Sequence, residues 1–146
     1  MCFFGNRALI AFLIGLSFVS CMVSAEGEAR VKELRQLAAE TPTFPGFEQS
    51  DYSDISKSEG TVVTYFYRSS ATYENVKSFY TKALLSRGWS SPEEEPINHW
   101  FVQDGSRRLI FRKGEYTIDL NYEPAGGNGW RFAVDYDWQP KRNSND

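Results

Sequence analysis

Two stretches near the C-terminal end alternate bulky apolar residues with small or polar ones at a strict period of two. Tyr116, Ile118, Leu120 and Tyr122 alternate with Thr117, Asp119, Asn121 and Glu123, and Trp130, Phe132, Val134, Tyr136 and Trp138 alternate with Arg131, Ala133, Asp135 and Asp137. Successive side chains of a strand point to opposite faces, so the pattern predicts two antiparallel strands, each with one face on a core and the other toward water. If the turn EPAGGNG pairs Glu123 with Arg131, Asp119 falls opposite Asp135 and Thr117 opposite Asp137. Upstream, Asp104-Gly105 and Lys113-Gly114 are X-Gly pairs between strand-like runs, a strong short-range hairpin signal. Read as two-residue loops, the first pairs Trp100 with Leu109, Phe101 with Arg108 and His99 with Ile110. The second pairs Arg112 with Glu115, Phe111 with Tyr116, Leu109 with Ile118 and Arg108 with Asp119. From Ile97 onward the chain thus reads as a four-stranded meander.

Residues 61–68 (TVVTYFYR) carry apolar bulk on both faces, Val62 and Phe66 on one and Val63, Tyr65 and Tyr67 on the other, as an interior strand does. Residues 73–87 follow the helical spacing through Val76, Phe79, Tyr80, Ala83 and Leu84, with Thr72 as N-cap and Glu74 in the first turn, where the positive helix end favours an anion. Gly88 at C′ and Trp89 at C″ suit a Schellman ending in which Trp89 packs on Leu84. Residues 26–40 form a shorter helix with a thin stripe of Val31, Leu34, Leu37 and Ala38, stopped by Pro42. Residues 41–54 read as a linker or a short irregular edge strand, and residues 90–96 (SSPEEEP) as a loop. The expected fold is α+β: one main helix on a mostly antiparallel sheet of about five strands in the order β-α-β-β-β-β, with an additional N-terminal helix. The expected boundaries are an N-terminal helix and linker at 26–43, one domain at 44–139 and a frayed tail at 140–146.

The N-terminal end carries an address. Residues 8–25 hold no charge, follow Arg7 and run into the polar stretch EGEARVKE. A c-region ending Val23-Ser24-Ala25 has the small residues that signal peptidase requires, so cleavage after Ala25 is expected. Phe18-Val19-Ser20-Cys21 offers a second route, because it resembles the lipobox of bacterial lipoproteins, in which Cys21 is acylated and heads the mature chain after a leader of residues 1–20. Both routes stay open here, and the alternative to cleavage is an uncleaved membrane anchor, because residues 8–25 reach the short end of a bilayer span. Cleavage after Ala25 removes one of 16 cations and none of the 19 anions, so the charge moves from −3 to −4. A mildly acidic, mixed surface argues against nucleic acid as partner. Both cysteines, Cys2 and Cys21, lie in the leader, so the domain folds without a disulfide. Apolar burial must hold it together, and only Phe3, Phe4, Phe12 and Phe18 of the aromatic residues leave with the leader.

The frame Pro45-Gly46, Val63-x-Tyr65-x-Tyr67, Val76-x-x-Phe79-Tyr80-x-x-x-Leu84-x-x-x-Gly88-Trp89 and Leu109-x-Phe111-x-Lys113-Gly114 resembles a small, functionally uncharacterised domain of bacterial secreted proteins and lipoproteins. The resemblance runs from about Phe44 to Tyr122. It implies the fold and the envelope address and brings no catalytic residues with it.

No pattern in the chain specifies a reaction. His99 is the only histidine, no serine sits in a G-x-S-x-G elbow, and Gly126-Gly127-Asn128-Gly129 lacks the Lys-Ser/Thr of a phosphate loop. No catalytic residue, metal ligand or cofactor is expected. The carboxylates Asp119, Asp135 and Asp137 share one sheet face, an arrangement that suits a hard cation or glycoside hydrolysis, yet Arg108 beside Asp119 accounts for them by neutralisation. One patch breaks the polar pattern: Ile97, Phe101 and Ile110 fall on the face that carries Arg108 and Arg112. Either the helix at 26–40 covers them or a partner does, the helix being the simpler cover. The chain thus reads as a non-catalytic module of the bacterial envelope, periplasmic or secreted, or an outer-membrane lipoprotein if Cys21 is acylated. It would contact the membrane only through leader or lipid and would bind an envelope protein or ligand of unknown identity through Ile97, Phe101, Arg108, Ile110 and Arg112. The alternative is a small-ligand or glycan binder using exposed aromatic residues.

Overall fold

The computed structural model describes residues 11–57, 60–97, 104–126 and 129–140. It is an α+β arrangement of two helices and a six-stranded, wholly antiparallel sheet. The elements are α1 (Ala11–Glu40), β1 (Glu48–Lys57), β2 (Gly60–Arg68), α2 (Tyr73–Leu85), β3 (Glu93–Pro96), β4 (Arg107–Lys113), β5 (Tyr116–Tyr122) and β6 (Phe132–Trp138). The sheet order is β1-β2-β6-β5-β4-β3, so β2 is interior, β4, β5 and β6 follow one another as expected, and the meander begins at β3, before the Ile97 at which it is expected to start.

The sixth strand comes from residues expected to be a linker or short edge strand. β1 is an edge strand, and irregular, with a register shift between Gln49 and Asp51, but it pairs with β2 along its whole length. The segment before it is no free linker either. Phe44 packs against Phe79, and Phe47 stacks on Tyr67 and meets Phe132, so the turn after α1 drives two rings into the core.

The last hairpin keeps the expected register, with Asp119 opposite Asp135 and Thr117 opposite Asp137. The hairpin before it is shifted by two residues: Lys113 pairs with Tyr116, Arg112 with Thr117, Phe111 with Ile118, Leu109 with Leu120 and Arg108 with Asn121. Gly114, at φ +63°, is the first loop residue instead of the second, the place where a type II′ turn needs positive φ. A shift of two keeps every side chain on its own face, which is why the apolar pattern alone could not tell the two registers apart.

His99, Trp100 and Phe101, the expected partners of β4 across Asp104-Gly105, lie outside the described residues. On its edge away from β5, β4 pairs with β3, Glu93 opposite Ile110, Glu94 opposite Leu109 and Glu95 opposite Arg108. The glutamates expected in a loop are thus a strand, held by ion pairs from Glu93 to Arg112 (2.6 Å), Glu94 to Arg107 (3.1 Å) and Lys77, and Glu95 to Arg108 (3.3 Å). A run of like charge has low intrinsic strand preference, and cations on β4 and α2 override it.

Both helices lie on one face of the sheet. α2 begins at Thr72, whose hydroxyl accepts from the Asn75 N–H (3.3 Å). It ends as a Schellman turn, with Trp89 N–H donating to Leu84 O (3.2 Å) and Gly88 N–H to Leu85 O (3.1 Å). Its buried residues Tyr73, Val76, Tyr80 and Leu84 meet Leu109, Phe111, Ile118, Leu120, Phe132 and Val134. α1 lies beside it, with Leu34 fully buried in the same core and Val31, Leu37 and Ala38 packed around it. Polar contacts fix α1 on β1, β5 and β6: Arg35 reaches the Tyr52 hydroxyl and Asp54 (2.7 Å each), Tyr116 donates to Glu33, and the Arg30 guanidinium lies 4.1 Å from the Trp138 ring centre. α1 therefore does not cover the face that carries Arg108 and Arg112. Its thin stripe joins the apolar face already half roofed by α2, where burial is favourable, while the other face would oblige it to bury carboxylates.

Candidate functional site

The sheet face opposite the helices, which no helix among the described residues covers, is built by alternation along six strands. Register places its residues in three rows across the sheet. The first is Ile55, Val62, Asp137, Thr117 and Arg112. The second is Ser53, Thr64, Asp135, Asp119, Ile110 and Glu93, and the third is Asp51, Phe66, Ala133, Asn121, Arg108 and Glu95.

At its centre two aspartates stand directly opposite one another, Asp119 on β5 and Asp135 on β6, a pairing of like charges that ordinarily destabilises a sheet. Asp135 accepts from Asn121 Nδ2 at 2.8 Å. Asp119 has Arg108 Nε at 3.9 Å, a loose contact, and its Oδ1 is buried with no hydrogen-bond partner. With the Asp119 side chain only 17% exposed, burial dominates and Asp135 adds repulsion. Together they push Asp119 up to about 6, although Arg108 pulls the other way. Burial also raises Asp135, with Thr64 and Asn121 drawing it partly back, and raises Asp137, opposed by Gln139. The expected neutralisation is therefore incomplete: the two-residue shift puts Asn121, not Asp119, opposite Arg108. An apposed pair of this kind can hold a proton between its members or accept donors brought by another molecule. Among the described residues no group of three or more His, Cys, Asp or Glu is arranged to hold a metal ion.

The candidate interaction residues are only partly brought together. Arg108, Ile110 and Arg112 share this face on β4. Ile110 is itself buried, 6% exposed, between the two arginines and beside Asp119. Ile97 ends the run after β3, its N–H donating to Ser106 O (3.0 Å), and Phe101 lies outside the described residues. Cys21 and Ala25 both fall within α1.

The more exposed apolar residues sit at the other end of the face, where sequence reasoning did not place a site. Ile55 on β1 is 49% exposed, with half-buried Val62 opposite it. Phe66 packs against Trp130, 5.4 Å between ring centres. Trp130 was expected in the core row with Phe132 and Val134, but β6 begins at Phe132 and Trp130 turns to Phe66 instead. The signal for this patch was present in Val62 and Phe66, the apolar residues on the second face of an interior strand. Among the described residues no helix is long and apolar enough to cross a membrane. No protein-family model, curated protein or solved structure matches the chain.

Proposed function

We propose that this chain is an exported, non-catalytic module of the bacterial cell envelope that docks another envelope component on the sheet face opposite its helices. The leader-like residues 8–25 and the resemblance to a domain of secreted proteins and lipoproteins support the address. One observation carries the docking: both helices stack on the same face, and among the described residues no helix covers the other. There Ile55, Val62, Phe66 and Trp130 border a row of raised aspartates and the arginines of β4. An apolar patch rimmed by charges of both signs is the composition of a protein-protein contact. The partner gains apolar area at Phe66 and Ile55 and meets the exposed guanidinium groups of Arg108 and Arg112 with acceptors.

Photo-crosslinking in the native host tests it. A crosslinker at Ile55 or Phe66 is expected to trap one envelope component, and one at Lys32, on the exposed side of α1, is not. Equal trapping from both positions, or trapping from Lys32 alone, overturns the proposal.

A further inference from the structure

A separate concavity lies on the helix side. A groove of about 680 Å³ runs between α1, the Schellman turn after α2 and the β4-β5 turn, within the volume range of small-molecule sites. Half-buried Leu37 and Tyr116, with Trp89 largely buried behind them at 7% exposed, give it an apolar lining. Its polar groups are held in place by hydrogen bonds, several of them between lining residues. Tyr116 donates its hydroxyl to Glu33, Lys113 Nζ donates to Arg87 O at 2.8 Å, and Glu115 accepts from Trp138 Nε1 at 3.3 Å. On the α1 wall Gln36 donates to Glu40 at 3.0 Å, which leaves the Gln36 carbonyl and the second Glu40 oxygen open to another donor. Across from them stands the exposed Arg87, whose guanidinium makes no hydrogen bond to any described residue.

This lining selects by exclusion. Cations and carboxylates stand on the same walls, so neither a phosphate nor a polyamine finds a field of one sign. A lipid chain would desolvate charged walls without pairing them. A neutral molecule with apolar C–H faces and many hydroxyls fits both parts: the ring face lies on aromatic and aliphatic side chains, and the hydroxyls take donors from Arg87 and acceptors from Gln36 and Glu40. We infer that this groove binds an oligosaccharide, independently of docking on the opposite face.

Calorimetric titration of the protein as its host produces it, with chitotriose and maltotriose as probes, tests the site. At least one probe is expected to bind saturably. Arg87→Ala and Glu40→Ala should each weaken that binding about tenfold, the effect of losing a hydrogen bond to a charged group, with unchanged melting temperature because both residues are exposed. Ile55→Asp, on the opposite face, should leave it unchanged. Absence of binding by both probes at millimolar concentration overturns the inference, and so does binding that neither groove variant weakens.

Discussion

At the scale of single residues, the chain places its conformational constraints and its electrostatic strain in different positions. Gly88 takes φ +77° to end α2, and a Cβ built there would meet nothing closer than Lys113 Nζ at 4.0 Å. The cost of Gly88→Ala is therefore conformational: about 1 kcal/mol, read as a lower urea midpoint at unchanged m-value. Asp119 carries the electrostatic strain. Its folded value near 6 lies above the ordinary aspartate value of about 3.9, so folding takes up a proton between them. The stability it contributes is present in full below the unfolded value and is lost as pH rises through about 6. Asp135 and Asp137, also raised, act with the same sign, while the more exposed Glu33 and Glu94, held below their ordinary range by hydrogen bonds from Tyr116 and Lys77, oppose it weakly. Urea unfolding should show lower stability at pH 7.5 than at pH 4.5. Asp119→Asn should shrink that difference and stabilise the domain at pH 7.5. A flat profile in the parent chain contradicts the strained pair.

Among the elements, α1 changes most from what its sequence suggests. The stripe Val31, Leu34, Leu37 and Ala38 looks too thin for a core, yet Leu34 is fully buried because α2 and the rings of Phe44 and Phe47 complete the same core around it. Leu34→Ala should cost about 2–5 kcal/mol, against less than about 0.5 kcal/mol for Lys32→Ala on the exposed side, compared by thermal or urea unfolding. Removing residues 1–40 should expose the sheet under α1 and produce strong ANS binding. A truncated chain as stable and as dye-silent as the parent would show that α1 is a tether. The termini of α2 were legible because capping is local: Thr72, Glu74, Gly88 and Trp89 act within a few residues of one another. β3 was not legible, since what makes the run of glutamates a strand is Arg107, Arg108 and Arg112 on a neighbour and Lys77 on a helix.

For the whole molecule processing decides where the chain begins, and Cys21 and Ala25 lie in the same helix as Leu34. Intact mass of the protein from its native host should show a chain beginning at Glu26 or at an acylated Cys21. The first outcome makes it a secreted or periplasmic protein, the second a lipoprotein, and a full-length mass overturns cleavage at either position. By itself the sequence determined the alternation of β5 and β6, the interior position of β2, the capped ends of α2 and the α+β class. Each of these rests on spacing, turn chemistry or contacts between neighbours in the chain. Only the tertiary structure decided the partner of β4, the two-residue shift at Gly114 and the face that α1 covers. A period of two cannot distinguish registers two residues apart, and a helix stripe cannot say which of two apolar surfaces it will join. Those choices are made by total apolar area and by the cost of burying carboxylates, quantities that exist only once the sheet has formed.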